Sequence, residues 1–158
     1  MPAAASALGR VLCATDLSEF GNRAVPFAFA IVAPGGRVTL TTVLETPELP
    51  SPLLPRYGEK HASEDELAAQ ERAAAAALEA LARAAAGARG IAHQVRVARA
   101  PRVADAILAE AERIDADAIC LATHSRSGLA QLMLGSAAHE VLHRAGRPVL
   151  LIPAPLAD

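Results

Sequence analysis

Aromatic side chains are nearly missing from this 158-residue chain, which has no Trp, a single Tyr and three Phe. With 53% hydrophobic residues all the same, the core must be built from Ala, Val, Leu and Ile, a palette that suits helices packed closely on a parallel sheet. Lysine is also scarce: Lys60 stands alone, and nothing matches G-x4-G-K-[S/T], so a P-loop nucleotide site is excluded. A net charge of −2 gives no electrostatic footprint for nucleic acid or an anionic membrane. No apolar run is long enough to span a bilayer, and the start, M-P-A-A-A-S-A-L-G, lacks the basic leader and apolar stretch of a signal peptide. Two cysteines make no disulfide framework. Cys13 and Cys120 both fall in apolar runs that read as buried strands, which points to a reducing, cytoplasmic setting.

What is present alternates between two periods. Arg10 to Thr15 is a short apolar run, read as a strand buried on both faces and ending at Asp16. Ser18 can cap a helix whose apolar positions Phe20, Ala24, Phe27, Ala28 and Ile31 recur at helical spacing; Pro26 predicts a kink or a late start. Pro34-Gly35-Gly36 closes that unit, and Val38 to Leu44 is a second strand. Residues 45–62 hold Pro47, Pro50, Pro52 and Pro55 and read as a loop. Ser63-Glu64-Asp65-Glu66 is a capping box opening a long Ala-rich helix to about Ala86, with Leu67, Leu78 and Leu81 inward and Gly87 and Gly90 at its end. Residues 92–98 alternate as a half-exposed strand. Pro101 is placed in the first turn of a helix carrying Val103, Ile107, Ala111 and Ile114 on one face.

The last quarter carries the chemistry. Ala118 to Ala122 is an apolar strand running into a polar loop, Thr123 to Gly128. Gly135-Ser136 opens a helix with Ser136 as its N-cap and Ala138, Val141, Leu142 and Ala145 inward. Backbone N–H groups at such a helix start, with the positive end of its dipole, are a natural place for a phosphate. Val149 to Ile152 is a final strand. The order β-α-β-α-β-α-β-α-β predicts one α/β domain with an open parallel sheet and helices on both faces, residues 1–9 forming a tail.

These residues resemble the universal stress protein family over nearly the whole chain. The likeness is carried by V-L-C-A-T-D-L-S-E at 11–19, T-L-T-T-V-L-E at 39–45, A-D-A-I-L-A-E-A-E-R-I-D-A-D-A-I-C-L-A at 104–122, and the block ending in P-V-L-L-I. It implies a five-stranded, Rossmann-like sheet of the adenine nucleotide alpha hydrolase type with order 3-2-1-4-5. It also implies a homodimer acting as a stress-response regulator without strong catalysis, and ATP, with or without Mg, as ligand. Carried over, Thr15 and Asp16 would meet the nucleoside and the Val43 backbone the adenine. Ala122, His124, Ser125, Arg126 and Gly128 would line the phosphates, with Gly135 and Ser136 at the terminal one. The family's pattern here is G-x2-G-x9-G-[S/T]; Ala122 and Ser125 replace its first two glycines, and Ser costs about 1 to 2 kcal/mol if that position is left-handed. The same fold acting as a protein-interaction module without nucleotide is the alternative.

Plainer readings stand beside these. Asp16 can cap the next helix instead of holding a nucleoside, and Arg126 can be a solvated loop charge. His61 and His93 read as surface residues. His139-Glu140-Val141-Leu142-His143 matches H-E-x-x-H, the pattern of a zinc hydrolase, but the same residues are explained as a last amphipathic helix with no third ligand after them beyond Asp158. Finally, Val149 to Ile152 is apolar on both faces yet is an edge strand in the implied order. Pairing with a second copy about a twofold axis would cover it.

Overall fold

The computed structural model describes residues 7–47, 62–87, 90–123 and 135–153. In chain order these form β1 (Arg10–Ala14), α1 (Glu19–Asn22), α2 (Ala24–Ile31), β2 (Arg37–Glu45), α3 (Glu64–Ala86), β3 (Ala92–Ala100), α4 (Val103–Arg113), β4 (Ala118–Ala122), α5 (Ser136–Arg144) and β5 (Val149–Ile152). All pairings are parallel and the sheet order is β3-β2-β1-β4-β5, as the resemblance implies. Of the expected tail at 1–9, residues 1–6 lie outside the described residues, as does most of the proline-rich loop with His61, while Leu8 and Gly9 are hydrogen-bonded to Ala33, Arg37 and Asp117.

Alternation along the strands sorts the core into two layers. Val11, Cys13, Val38, Leu40 and Cys120 pack with Val25, Phe29 and Leu78 from α2 and α3. Leu12, Ala14, Ile119 and Leu121 face the other way, onto Ala104, Ile107, Val141 and Ala145 from α4 and α5. Each fully buried Leu or Ile in these layers contributes about 1.5–3 kcal/mol. Cys13 and Cys120 are register partners across β1 and β4, both buried and reduced.

The expected helix faces need correction at several places. Ser18 does cap α1, its Oγ accepting from Gly21 N at 3.0 Å, but α1 stops at Asn22 and α2 restarts at Ala24. Pro26 then sits in the first turn of α2, where no intrahelical acceptor is needed for its missing N–H. Ala24 and Ala28 are buried as the spacing predicts, joined there by Val25 and Phe29, while Phe20 and Phe27 remain 43% and 48% exposed. Pro101 precedes Arg102, the N-cap of α4, instead of entering the first turn. On α5, Ala138, Val141 and Ala145 are buried but Leu142 is 44% exposed, one position past the inward line. His93 is largely covered: its ring meets Phe29 edge-on and its Nε2 lies 3.1 Å from Glu79 Oε1. The Ser63–Glu66 capping box is present in full.

At the amino-terminal edge of the sheet the backbone is tied down by side chains. Asp117 Oδ2 accepts from Gly9 N at 2.8 Å and Arg10 N at 2.7 Å. Arg147 donates to the carbonyls of Ala111 and Ala116 at 3.0 and 2.7 Å, closing the end of α4. Arg10 pairs with Asp115. These bonds fix where β1 and β4 begin, and hence where they end.

Candidate functional site

In an open parallel sheet a crevice forms at the carboxyl ends of strands where the strand order reverses, because the flanking loops leave in opposite directions. Here that point lies between β1 and β4. A crevice of about 550 Å³ lies there, lined by Thr15, Asp16 and Gly21 after β1, by Val43 to Glu45 of β2, by Val103 and Ile107 of α4, by Leu121 and Ala122 of β4, and by Gly135 to Ala138.

The wall after β1 is a knot of short-range bonds. Thr15 is buried; its Oγ1 donates to Asn22 Oδ1 at 2.8 Å and accepts from Leu17 N at 3.0 Å. Leu17 has φ +62, a left-handed conformation that is costly for a branched residue and persists only when its neighbours hold it. Thr15 holds it from one side, and Asn22 Nδ2 donates to its carbonyl from the other. Asp16 Oδ1 accepts from the backbone N and the hydroxyl of Ser18. The capping reading of Asp16 is therefore correct in part: it orients the α1 cap while also lining the crevice. Gly21 closes the knot, since a Cβ there would fall 2.1 Å from Asp16 Oδ1 and 2.9 Å from Thr15 Oγ1.

The wall from β2 is backbone. Thr41 O accepts from Thr15 N at 3.0 Å, so the polar groups of Thr41 face β1. Two residues on, those of Val43 face the same way. By then β1 has ended, so the Val43 N–H and C=O look into the crevice.

The wall from α5 supplies the electropositive element. Ser136 is the first residue of the helix and Gly135 its N-cap, one position earlier than the sequence suggests, and among the described residues no side chain caps this end. The first intrahelical bond runs from His139 N to Gly135 O at 2.9 Å. The N–H groups of Ser136, Ala137 and Ala138 precede it and have no acceptor within the helix. Among the described lining residues the charged groups are Asp16 and Glu45, with no cation. An anion at this end would be held by helix amides and dipole, and its other end would have to tolerate the carboxylates.

Thr15, Asp16, Val43, Ala122, Gly135 and Ser136 are thus brought together. His124, Ser125, Arg126 and Gly128 lie outside the described residues. Sequence reading missed Gly21 and Asn22. The one available signal was a glycine inside a helical pattern, where it costs helix stability and usually has a packing reason. A second hollow, of about 430 Å³, lies at the amino-terminal edge; of its arginines, Arg10 and Arg113 are already bonded to Asp115 and Glu110.

The H-E-x-x-H segment does not build a hydrolase centre. Glu140 Oε2 accepts from Arg102 at 2.7 Å and from Arg144 at 3.4 Å, and Arg144 also reaches Asp105. Its carboxylate is spent joining α5 to α4 and is not poised as a base. Among the described residues no group of three or more His, Cys, Asp or Glu comes together.

The sequence model of the universal stress protein family matches residues 8–153. No curated protein matches the chain by sequence. Among solved structures, a universal stress family protein from Burkholderia pseudomallei is similar with a TM-score of 0.66 at 23% identity, over 94% of this chain and 98% of that one. A universal stress protein in complex with cAMP matches with a TM-score of 0.58 at 22% identity, over 95% and 100% of the two chains. An Arabidopsis thaliana family protein with AMP bound matches with a TM-score of 0.58 at 14% identity, over 92% of each.

Proposed function

The chain belongs to the universal stress protein family, and from that premise we propose that the crevice at the β1/β4 switch point binds an adenine nucleotide, ATP in particular. The observation that carries this is the uncapped start of α5, whose Ser136, Ala137 and Ala138 amides border the same crevice as the inward-facing backbone of Val43. Phosphate suits the first and a purine edge, which needs one donor and one acceptor side by side, suits the second. Thr15 and Asp16 line the same crevice and would meet the sugar. Two relatives of the same fold hold cAMP and AMP, which supports the ligand class.

Nothing in the described lining is arranged for strong catalysis, and the reading is of a regulator that responds to nucleotide level under stress. It works as a homodimer in the cytoplasm. Val149, Leu150 and Leu151 are only half-buried on an edge strand that pairs with β4 alone among the described strands, which supports assembly through that edge. Two reduced, buried cysteines suit a reducing compartment. Sedimentation velocity reads the assembly.

The crevice is tested by equilibrium dialysis with labelled ATP, AMP and cAMP on the parent and on Gly135→Asp. Gly135 has φ −57 and ψ 150, a backbone any residue adopts. Aspartate there caps the helix amides itself and puts a carboxylate where phosphate would sit. Stability in urea is expected to stay level or rise by about 0.5 kcal/mol, while nucleotide affinity falls at least about tenfold. No binding of any of the three at millimolar concentration removes the nucleotide reading and leaves the protein-interaction module.

A further inference from the structure

The H-E-x-x-H segment fails as a hydrolase, yet its two imidazoles are placed in a way that hydrolysis does not explain. Residues four apart on a helix project from one face, one turn above the other. On α5 this brings His139 Nε2 and His143 Nε2 to 3.1 Å, with ring centroids 4.3 Å apart and planes inclined by 59°. Both side chains are exposed. An N···N contact of this length is a hydrogen bond only if one ring carries its proton at Nε2 and the other does not. Where both nitrogens present lone pairs, a cation between them can hold the rings at this separation.

We infer that His139 and His143 form a two-nitrogen chelate for a borderline divalent transition-metal ion of the Ni(II), Cu(II) or Zn(II) class, on the solvent face of α5. The nitrogen separation suits a single bound ion. With metal–nitrogen bonds of about 2.05 Å, a 3.1 Å nitrogen separation closes at an angle of about 98° at the metal, between the square and tetrahedral values. Neutral imidazole is the ligand these ions favour, whereas Mg(II) and Ca(II) prefer oxygen. Glu140 does not complete the set, because its carboxylate is bonded to Arg102 and Arg144; water fills the remaining positions. The other described imidazole, His93, lies against Glu79 and Phe29 and does not compete. The chelate stands apart from the nucleotide reading. It spans one turn of α5, and its first ligand follows directly on Ala138, the last of the helix residues that line the crevice.

The test is dialysis of the parent against Ni(II) alone, beside His139→Ala, His143→Ala and the double variant His61→Ala/His124→Ala, with circular dichroism to establish that each is folded. The parent is expected to bind one Ni(II). Each substitution on α5 should weaken binding about 100-fold, because the second nitrogen acts at high effective concentration once the first is bound. The His61/His124 variant should bind as the parent does. The inference is overturned if the parent takes up no Ni(II), if either α5 variant binds as tightly as the parent, or if removing His61 and His124 abolishes uptake. Because Ni(II) is the only ligand present, a failed nucleotide experiment leaves this result unaffected.

Discussion

The two ends of the one sheet are finished in opposite ways. At the amino-terminal edge Asp117 takes up the amides of Gly9 and Arg10, and Arg147 takes up the carbonyls of Ala111 and Ala116, so the turns are closed by the chain's own side chains. At the carboxyl-terminal edge the corresponding groups are left facing a hollow: the first-turn amides of α5 under a glycine cap, and the Val43 backbone beyond the end of β1. The same helix-start chemistry is satisfied elsewhere, since α3 begins with a complete capping box. Opening an end in this way costs stability, and the closed edge is where the sheet gains it back. Stability and ligand binding should therefore separate by edge.

The strongest way to break that division is through two glycines. A Cβ at Gly36 would fall 2.6 Å from the Gly9 carbonyl oxygen and 2.9 Å from that of Ala33, both backbone atoms that cannot turn aside. Gly36→Ala is expected to cost about 3 kcal/mol in urea denaturation while nucleotide affinity, measured where the protein is folded, is unchanged. Next in size is Asp117→Ala, which orphans the Gly9 and Arg10 amides and should cost about 2 kcal/mol, again without loss of binding. At the other edge the pattern should invert. In Gly21→Ala the new Cβ meets the Asp16 carboxylate, the buried Thr15 Oγ1 at 2.9 Å and the Asp16 backbone N at 3.1 Å, so it disturbs the knot as well as the crevice. Stability is expected to fall by about 1 kcal/mol, less than at the closed edge, with dialysis showing weakened nucleotide binding. Equal losses of affinity from both edges would show that the division is false.

Much of this architecture was legible because buried strands and capped helices leave short-range marks. Ser63 and Glu66 announce α3 by themselves, and the apolar runs at 11–14 and 118–122 are the strands that flank the crevice. The strand order came from resemblance, since periodicity alone does not order strands. What misled was phase. Counting helical turns from Phe20 through Ile31 finds Ala24 and Ala28, which are buried, but it assumes one helix; past the break at Arg23 Val25 and Phe29 are inward as well, and Phe20 and Phe27 are not. Ser136 was placed one residue early in role because serine favours caps; here the glycine before it takes that position. Gly21 was missed altogether, and the Val43 backbone was reached only through the resemblance. Their part in the crevice depends on where β1 stops relative to β2, a relation between chain segments that no local pattern records.

Cys13 and Cys120 have a use that follows from where they sit. They face each other across β1 and β4, the strands that part to form the crevice. The neighbouring Cys120 thiol, and then burial, push the Cys13 thiol well above its usual value. Only the thiolate attacks electrophiles, and both sulfurs are fully buried, so while the core is intact a reagent does not reach them. An alkylating reagent therefore keeps time on the opening of the helical layer that α2 and α3 lay over these strands, and a ligand that steadies the ends of β1 and β4 would be expected to slow that clock.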